Sequence, residues 1–356
     1  MYDVAIVGSG PAGATCAAFC ARAGLRVVVF ERETFPREKV CGDCLNPACF
    51  PVLERLGIAE DVRALAHGEL RRVDFVAIDG RTVTVELPRD AEIAVKRSLF
   101  DDLLMRRAQA AGAEIRERSV VTALVAPTSS ADFWRITAGG DQFEARALVA
   151  ADGRNSTVAR LLGLLPRVAK DRVGLQTHIP LPAGFGERVV LQFLREGYSG
   201  QAPVDDQTLN LCLVGRAHSI GAVRHWAEAT FGIAPDHTWR TITPLRRAAV
   251  APAALGLFLV GDAARVVEPF TGEGIYYALR SGELAAESIA RQLQTGDAEL
   301  GARLYTAAHE NLYRGRLWVN RIARAAVLSP RMTSLLIRTG VLRSAFLQKL
   351  TAKIVR

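Results

Sequence analysis

The chain has 356 residues, of which 49% are hydrophobic and 23% charged, so the sequence predicts one large α/β domain that carries a smaller one. No run of about 18 uncharged apolar residues occurs, and no membrane-spanning helix is expected. The net charge is +8, and residues 311–356 contribute ten basic and no acidic side chains, a distribution that does not favour a nucleic-acid partner.

A βαβ unit is predicted at the start of the chain. The β-branched run at 3–7 leads into Gly8-Ser-Gly-Pro-Ala-Gly13, a helix of small residues is predicted over 12–23, and an apolar run over 25–30 ends at Glu31. The glycines fit G-x-G-x-x-G, and a carboxylate at the end of the second strand can accept hydrogen bonds from ribose hydroxyls. The pattern predicts a dinucleotide site, but it does not distinguish FAD from NAD.

Later segments alternate between two patterns. Arg97 opens a predicted helix over 98–111, and buried strands are predicted at 146–151 and 256–260. Period-two alternation predicts antiparallel strands between them, at 73–78, 82–87, 172–179, 189–194 and 209–214. The predicted fold class is α/β, a Rossmann-like dinucleotide domain with an interleaved antiparallel-sheet substrate domain and a helical C-terminal tail.

Two further motifs point to a family. Residues 148–160 read Leu-Val-Ala-Ala-Asp-Gly-Arg-Asn-Ser-Thr-Val-Ala-Arg, and a Gly-Asp pair at 261–262 precedes Pro-Phe-Thr-Gly-Glu-Gly-Ile-Tyr-Tyr-Ala at 269–278. They resemble the Asp-Gly and Gly-Asp motifs of flavoproteins with the p-hydroxybenzoate hydroxylase fold. The second motif and Pro-Arg-Glu-Lys-Val-Cys-Gly-Asp-Cys-Leu at 36–45 are most similar to the geranylgeranyl reductase branch.

The resemblance implies non-covalent FAD in a discontinuous FAD-binding domain. That domain is predicted over 1–68, 95–168 and 249–300, the substrate domain over 69–94 and 169–248, and a basic helical tail over 301–356. Bare N–H groups where the Ile275 helix starts would stabilise negative charge on a reduced flavin. The predicted FAD-binding residues are Gly8, Gly10, Pro11, Ala12, Gly13, Glu31, Arg32, Gly42, Arg97, Asp152, Asp262, Pro269, Gly272, Gly274 and Ile275.

Three side chains are candidates for catalysis. The resemblance places Cys41 on the substrate side of the flavin and Tyr198 on an aromatic substrate-facing strand, and His178 lies on a predicted strand as a candidate proton donor. Structural roles for all three stay open, as does a reversible disulfide at Cys41-Gly-Asp-Cys44. No metal is expected, because no second Cys/His pair follows at suitable spacing. Asp43 and Cys44 depart from the glycines that prenyl reductases favour here.

The reaction itself is left open by the sequence. The preferred hypothesis is flavin-hydride reduction of a carbon–carbon double bond in a lipophilic small molecule. The alternative is an FAD monooxygenase that hydroxylates an aromatic or polyketide-like compound, and a third is a flavoprotein that acts on a protein partner. No second G-x-G-x-x-G follows a strand, so the reductant is expected to be a visiting NAD(P)H or a protein electron donor.

The residue pattern at the C-terminus bears on where in the cell the protein is found. Apolar residues interleave with Arg and Lys at helical spacing over 311–356, which is typical of helices drawn to anionic lipid. The other interpretation is that these helices pack on the flavin domain with their arginines in water. Six cysteines in a chain of this length do not form a disulfide framework, so we expect a cytoplasmic protein, with peripheral contact at the inner membrane face left open.

Overall fold

The computed structural model of the chain describes residues 1–88, 92–129, 132–166, 172–268 and 272–339. The strands within these ranges are β1 (Tyr2–Val7), β2 (Val27–Phe30), β3 (Cys44–Leu45), β4 (Gly68–Leu70), β5 (Arg72–Val76), β6 (Thr82–Glu86), β7 (Glu92–Ala94), β8 (Glu114–Arg116), β9 (Val121–Val125), β10 (Trp134–Ala138), β11 (Asp141–Ala150), β12 (Val173–Pro180), β13 (Arg188–Leu194), β14 (Gly197–Pro203), β15 (Thr208–Gly215), β16 (Arg240–Ile242), β17 (Ala253–Ala254) and β18 (Leu257–Leu259). The helices are α1 (Pro11–Arg22), α2 (Phe50–Leu56), α3 (Ala59–Ala64), α4 (Arg97–Ala110), α5 (Thr157–Leu161), α6 (Ile220–Phe231), α7 (Gly274–Thr295), α8 (Ala298–Tyr313), α9 (Leu317–Leu328) and α10 (Pro330–Arg338).

The first sheet has the strand order β17-β18-β11-β1-β2-β8, and its strands from β18 to β8 are parallel. The apolar runs of β1 and β2 are buried on both faces, as parallel strands in an α/β protein require. Val4 and Ile6 pack with α1 and α7 on one side, and Ala5 and Val7 pack against the other core. A hairpin of β9 and β10 extends this sheet from β11.

The second sheet has the order β16-β12-β15-β14-β13-β5-β6 and is antiparallel except where β13 pairs with β5. Residues directly opposite each other share a face, so the strand register sorts the side chains. Leu209, Leu211 and Leu213 of β15 point to one side, where they pack with Val223 and Ala227 of α6. The alternate positions of β15 form the opposite side, which is called the inner face below.

The inner face of the second sheet meets the loop that follows the first βαβ unit. A small third sheet, β3-β7-β4, holds this loop, because Cys44 of β3 pairs with Ala94 of β7. The α/β fold class with a dinucleotide sheet, an antiparallel sheet and a helical C-terminal region is therefore confirmed. The exact domain boundaries stay a prediction.

The C-terminal helices α9 and α10 follow α8 and reach the second sheet. Ile337 of α10 is buried in a cluster with Phe193 and Tyr198, and Ser334 Oγ accepts a 3.0 Å hydrogen bond from the backbone N–H of Ile78. None of the helices in the described ranges is long and apolar enough to cross a membrane. Residues 340–356, the last part of the predicted tail, lie outside those ranges.

Candidate active site

On the side that faces the first sheet, the glycine turn between β1 and α1 packs tightly against neighbouring backbone. Gly8 has φ +97°, and a Cβ at that position would lie 2.7 Å from the carbonyl oxygen of Ala151. A Cβ on Gly13 would lie 1.9 Å from the carbonyl oxygen of Gly8. Glycine is therefore required at both positions, for backbone conformation at the first and for close packing at both.

The same turn is open on its other side, at Gly10. A Cβ on Gly10 would meet nothing nearer than Arg37 Nη2 at 3.7 Å and Arg97 Nη2 at 4.0 Å. Space therefore remains between the backbone of the turn and two guanidinium groups. Their charge and the N-terminus of α1 both favour an anion at this position.

Acidic side chains hold the two guanidinium groups in place. Arg97 donates two hydrogen bonds of 2.7 Å to the buried Asp101, and Arg37 lies 3.2 Å from Asp101 Oδ2 and 3.6 Å from Glu31 Oε2. Glu31 Oε2 also accepts a 3.0 Å hydrogen bond from the backbone N–H of Ser9. The acid at the end of β2 thus lies against the glycine turn.

Lys39 adds a further positive charge to this region. Burial, together with charge repulsion from Arg97, Arg37, Arg32 and Arg154, lowers the pKa of Lys39 to about 8. A buried amine whose charge is disfavoured by neighbouring cations favours an anionic ligand at this place.

The Asp-Gly and Gly-Asp motifs lie next to each other across the first sheet. Asp152 Oδ2 accepts a 3.0 Å hydrogen bond from the N–H of Val158 in α5, and Asp152 Oδ1 is buried without a hydrogen-bond partner among the described residues. Burial raises the pKa of Asp152. Asp262 Oδ2 accepts a 3.0 Å hydrogen bond from Arg154 Nη2, so Arg154 links the two motifs.

Helix α7 packs closely on α1, which brings the second glycine-rich segment toward the first. A Cβ on Gly282 would lie 2.3 Å from the carbonyl oxygen of Ala12, and Ile275 is buried in the same core as Ala12. Gly272 has φ +68°, and its Cβ position lies 3.9 Å from Glu92 Oε1. Burial raises the pKa of Glu92 to about 7.

A polar network joins the loop at 41–43 to the inner face of the second sheet. Asp43 Oδ2 lies 2.9 Å from His178 Nε2 and accepts a 2.8 Å hydrogen bond from Asn210 Nδ2. The Asn210 amide also donates to the carbonyl oxygen of Cys41 at 2.8 Å, and Cys212 Sγ lies 3.2 Å from the same oxygen. The structure therefore brings His178 and Cys41, two of the predicted candidates, to one place.

The surroundings of Cys41 favour its neutral thiol over the thiolate. Burial raises the pKa of Cys41, with nearby Arg97 acting in the opposite direction. All six cysteines carry free thiols, and no group of three His, Cys, Asp or Glu side chains within the described ranges is arranged to hold a metal ion.

Tyr198, the third candidate, lies on the same inner face but further along it. It is opposite Val214 in β15, whereas His178 is opposite Asn210, and four residues of strand separate the two positions by about 13 Å. Burial raises the pKa of Tyr198. Tyr198 also borders a cavity of about 330 Å³ beneath the first turn of α10.

Comparison with known proteins identifies the family. Residues 1–179, which contain the glycine turn, the arginines beside it and the Asp152 motif, match the FAD binding domain family. The chain belongs to this family. It is an FAD-dependent oxidoreductase, and the resemblance to the geranylgeranyl reductase branch is confirmed.

The relatives and a solved structure agree with this assignment. The chain is 29% identical to a menaquinone reductase of Mycolicibacterium smegmatis, over 99% of this chain and 91% of that protein. It is 28% identical to a digeranylgeranylglycerophospholipid reductase of Methanoculleus marisnigri, over 83% of this chain and 78% of that protein. Its fold is similar to that of a flavin-dependent brominase, with a TM-score of 0.80 and 21% identity over 100% of this chain and 94% of that chain.

The residues at the glycine turn fit the diphosphate of FAD. Besides the space at Gly10, Arg37 Nε and the Ser9 hydroxyl are buried without hydrogen-bond partners among the described residues, as expected where a ligand supplies them.

Some predicted FAD contacts have a different setting. Arg32 is largely exposed and lies 3.4 Å from Glu33, while Gly42 is exposed and has no atom within 4 Å of its Cβ position. Pro269 lies outside the described ranges. The contact of each residue with FAD stays a prediction.

Sequence reasoning missed Arg37, Arg154 and Asn210. Arg37 belongs to the 36–45 segment, where attention went to Cys41, Gly42, Asp43 and Cys44. Asn210 had a signal of its own, because an amide within the apolar alternation Leu-Asn-Leu-Cys-Leu of β15 predicts a hydrogen-bond partner in the protein interior.

Proposed function

We propose that the protein reduces a carbon–carbon double bond in a lipophilic substrate, such as the prenyl chain of a quinone or a lipid. When bound, reduced FAD supplies a hydride for this reaction. The chain's own residues hold the cofactor, form an apolar surface beside it and supply the proton that completes the addition.

The inner face of the second sheet is the observation that carries this proposal. Phe75 and Leu191 are half-buried on this face, and Gly200 lies between Leu191 and Cys212, where a Cβ would be in ordinary van der Waals contact, 3.7 Å from Leu191 Cδ2 and 4.0 Å from Cys212 Cβ. An apolar floor of this kind, with a glycine near its middle, suits a hydrocarbon chain and gives few hydrogen-bond partners to a polar substrate. The floor ends at Cys41 and His178, on the side where the FAD-binding loop meets the sheet.

The names of the relatives support a prenyl-bearing substrate. A menaquinone reductase and a digeranylgeranylglycerophospholipid reductase are both named for lipophilic prenyl compounds, and both align with most of this chain. We propose a visiting NAD(P)H or a protein donor as the source of electrons, since one G-x-G-x-x-G turn is already assigned to FAD.

We also propose peripheral contact with an anionic membrane through α9, α10 and the residues that follow them. Ile322, Met332 and Leu335 expose 38–57% of their surface on these two helices, close to Arg321 and Arg331. Exposed apolar side chains beside arginines favour the interface of an anionic bilayer, from which a lipophilic substrate is extracted.

A single-turnover experiment separates reduction from hydroxylation. The holoenzyme is reduced with dithionite without oxygen and mixed with menaquinone or with digeranylgeranylglycerophospholipid in detergent. We expect the yellow colour of oxidised FAD to return and a prenyl chain to gain two hydrogen atoms. Mass spectrometry of the side chain measures this gain separately from reduction of the quinone ring.

The monooxygenase remains the second candidate, because Asp43 and Cys44 alter the pocket floor relative to prenyl reductases and the brominase has the same fold. A product that gains an oxygen atom, formed only after oxygen is admitted, would replace the first proposal with the second.

A further inference from the structure

Asp43 is held in an unusual state at the junction of the two sheets. Its φ is +61°, in the left-handed region that non-glycine residues seldom occupy, and 1% of its surface is exposed. A buried carboxylate on a strained backbone is retained only where its surroundings hold it firmly. Glycine, which the prenyl reductases favour here, would relieve the strain and remove the carboxylate.

Side chains of the inner face of the second sheet bind the Asp43 carboxylate. Its Oδ2 lies 2.9 Å from His178 Nε2 and 2.8 Å from Asn210 Nδ2, and its backbone carbonyl accepts a 2.9 Å hydrogen bond from the N–H of Val95. Gln176 Nε2 donates to Asn210 Oδ1 at 3.1 Å, which fixes the orientation of the Asn210 amide. His178 Nε2 also lies 3.3 Å from Gln176 Nε2. Because an ionised carboxylate only accepts hydrogen bonds, Asp43 favours the His178 tautomer that carries its proton on Nε2.

The second ring nitrogen of His178, Nδ1, is available to interact with a substrate. No described residue forms a hydrogen bond with His178 Nδ1, and 15% of the side chain is exposed. On the inner face, Cys212 is the next position of β15 after Asn210, and Gly200 of β14 lies opposite Cys212, so the proposed prenyl chain would lie over these positions.

Other ionisable groups surround the pair and set its charge. Burial raises the pKa of Asp43, and the hydrogen bond and charge of His178 act against that rise. The interaction with His178 thus favours the ionised carboxylate of Asp43 against the cost of its burial. The other ionisable groups near Asp43 include Arg97, Glu38, Cys41, Cys44 and Cys212.

We propose that His178 is the proton donor of the reduction and that Asp43 is its positioning residue. This inference rests on the proposed function. The hydride from reduced FAD adds to one carbon of the double bond, the N–H bond at Nδ1 of the His178 imidazolium breaks, and its proton adds to the other carbon. Reduced FAD would thereby be oxidised to FAD, the substrate would gain two hydrogen atoms, and the neutral imidazole would regain a proton from solvent.

The kinetic test compares His178→Gln and Asp43→Gly with the control His237→Gln. His237 lies 2.6 Å from the Thr177 hydroxyl, on the opposite side of β12, so the control makes the same substitution away from the inner face. We expect FAD content and FAD reduction to stay within about twofold in all three variants. Electron transfer from reduced FAD to the prenyl chain should fall about 100-fold in His178→Gln and about tenfold in Asp43→Gly.

A spectroscopic test does not depend on turnover. In holoenzyme with ¹⁵N-labelled histidine, at a pH where the imidazole is neutral, we expect the His178 proton on Nε2 in the wild type and a mixture of tautomers in Asp43→Gly. The His178→Gln spectrum assigns the signals.

Two results would overturn the inference. One is a His178→Gln enzyme that passes electrons to the prenyl chain at more than half of the wild-type rate. The other is a tautomer that Asp43→Gly leaves unchanged. If the wild type itself saturates no prenyl chain, the proposed function fails, whereas the NMR result still decides whether Asp43 positions His178.

Discussion

Individual side chains at the glycine turn explain how this site selects an anionic cofactor. Arg37 and Arg97 face the open side of Gly10, and both are held by Asp101, so their geometry exists before the ligand arrives. Such preorganisation lowers the cost of ordering side chains on binding. Lys39 belongs to the same positive region and is the member whose charge changes within an accessible pH range.

FAD affinity is predicted to fall as pH rises from about 7 to 9. Without FAD, burial and the neighbouring arginines lower the pKa of Lys39 to about 8, so the amine is mostly neutral at the upper end of this range. The negative diphosphate favours the ammonium form, and binding therefore takes up a proton. Fluorescence titration of FAD should show a limiting slope of about tenfold per pH unit above pH 8.

Lys39→Gln should flatten this slope, because the substituted side chain does not titrate. Lys96→Gln is the matched control, since Lys96 is bound to Asp205 at 2.8 Å and to the Thr208 hydroxyl at 3.2 Å. A slope that persists unchanged in Lys39→Gln would assign it to another group.

Helix α10 is buried against the protein on one side and exposed on the other. Ile337 points inward and packs against Tyr198, while Met332 and Leu335 of the same helix point outward. The amphipathic pattern left membrane contact and packing on the protein as alternatives. The structure shows packing by one side of α10, and the exposed side remains available for the proposed lipid contact.

Met332→Gln combined with Leu335→Gln should weaken binding to anionic liposomes about tenfold, because two exposed apolar side chains no longer enter the interface. Co-sedimentation with vesicles that contain phosphatidylglycerol measures the change. Leu255→Gln is the control, since Leu255 is 56% exposed on the short loop between β17 and β18. Equal binding by the double variant and the wild type would exclude α10 as the contact.

Across the whole molecule, the sequence predicts those structural features that depend on short-range residue patterns. The turn from β1 to α1 and the acid at the end of β2 follow from glycine chemistry and from short-range hydrophobic patterns. Strands of two or three residues, such as β3 and β4, carry too little periodicity to be predicted.

Long-range pairs were beyond reach for a different reason. Asp43 and His178 are 135 residues apart in sequence, and only the register of β12 with β15 brings His178 beside Asn210 and Asp43. The sequence singled out Asp43 as a departure from glycine and His178 as a candidate proton donor. Nothing in the sequence indicated that these two side chains are in contact.

The central claim is that FAD occupies the space between Gly10 and the two arginines. A titration of FAD into purified wild type, Gly10→Val and Gly221→Val tests it most directly, with circular dichroism to verify folding. Gly10 has φ −74°, which valine tolerates, and Gly221 of α6 has no atom within 4 Å of its Cβ position.

We predict one FAD per chain for the wild type and Gly221→Val, and FAD affinity at least about 100-fold weaker for a folded Gly10→Val, whose side chain fills the diphosphate space. FAD bound to Gly10→Val as tightly as to the wild type would contradict the account.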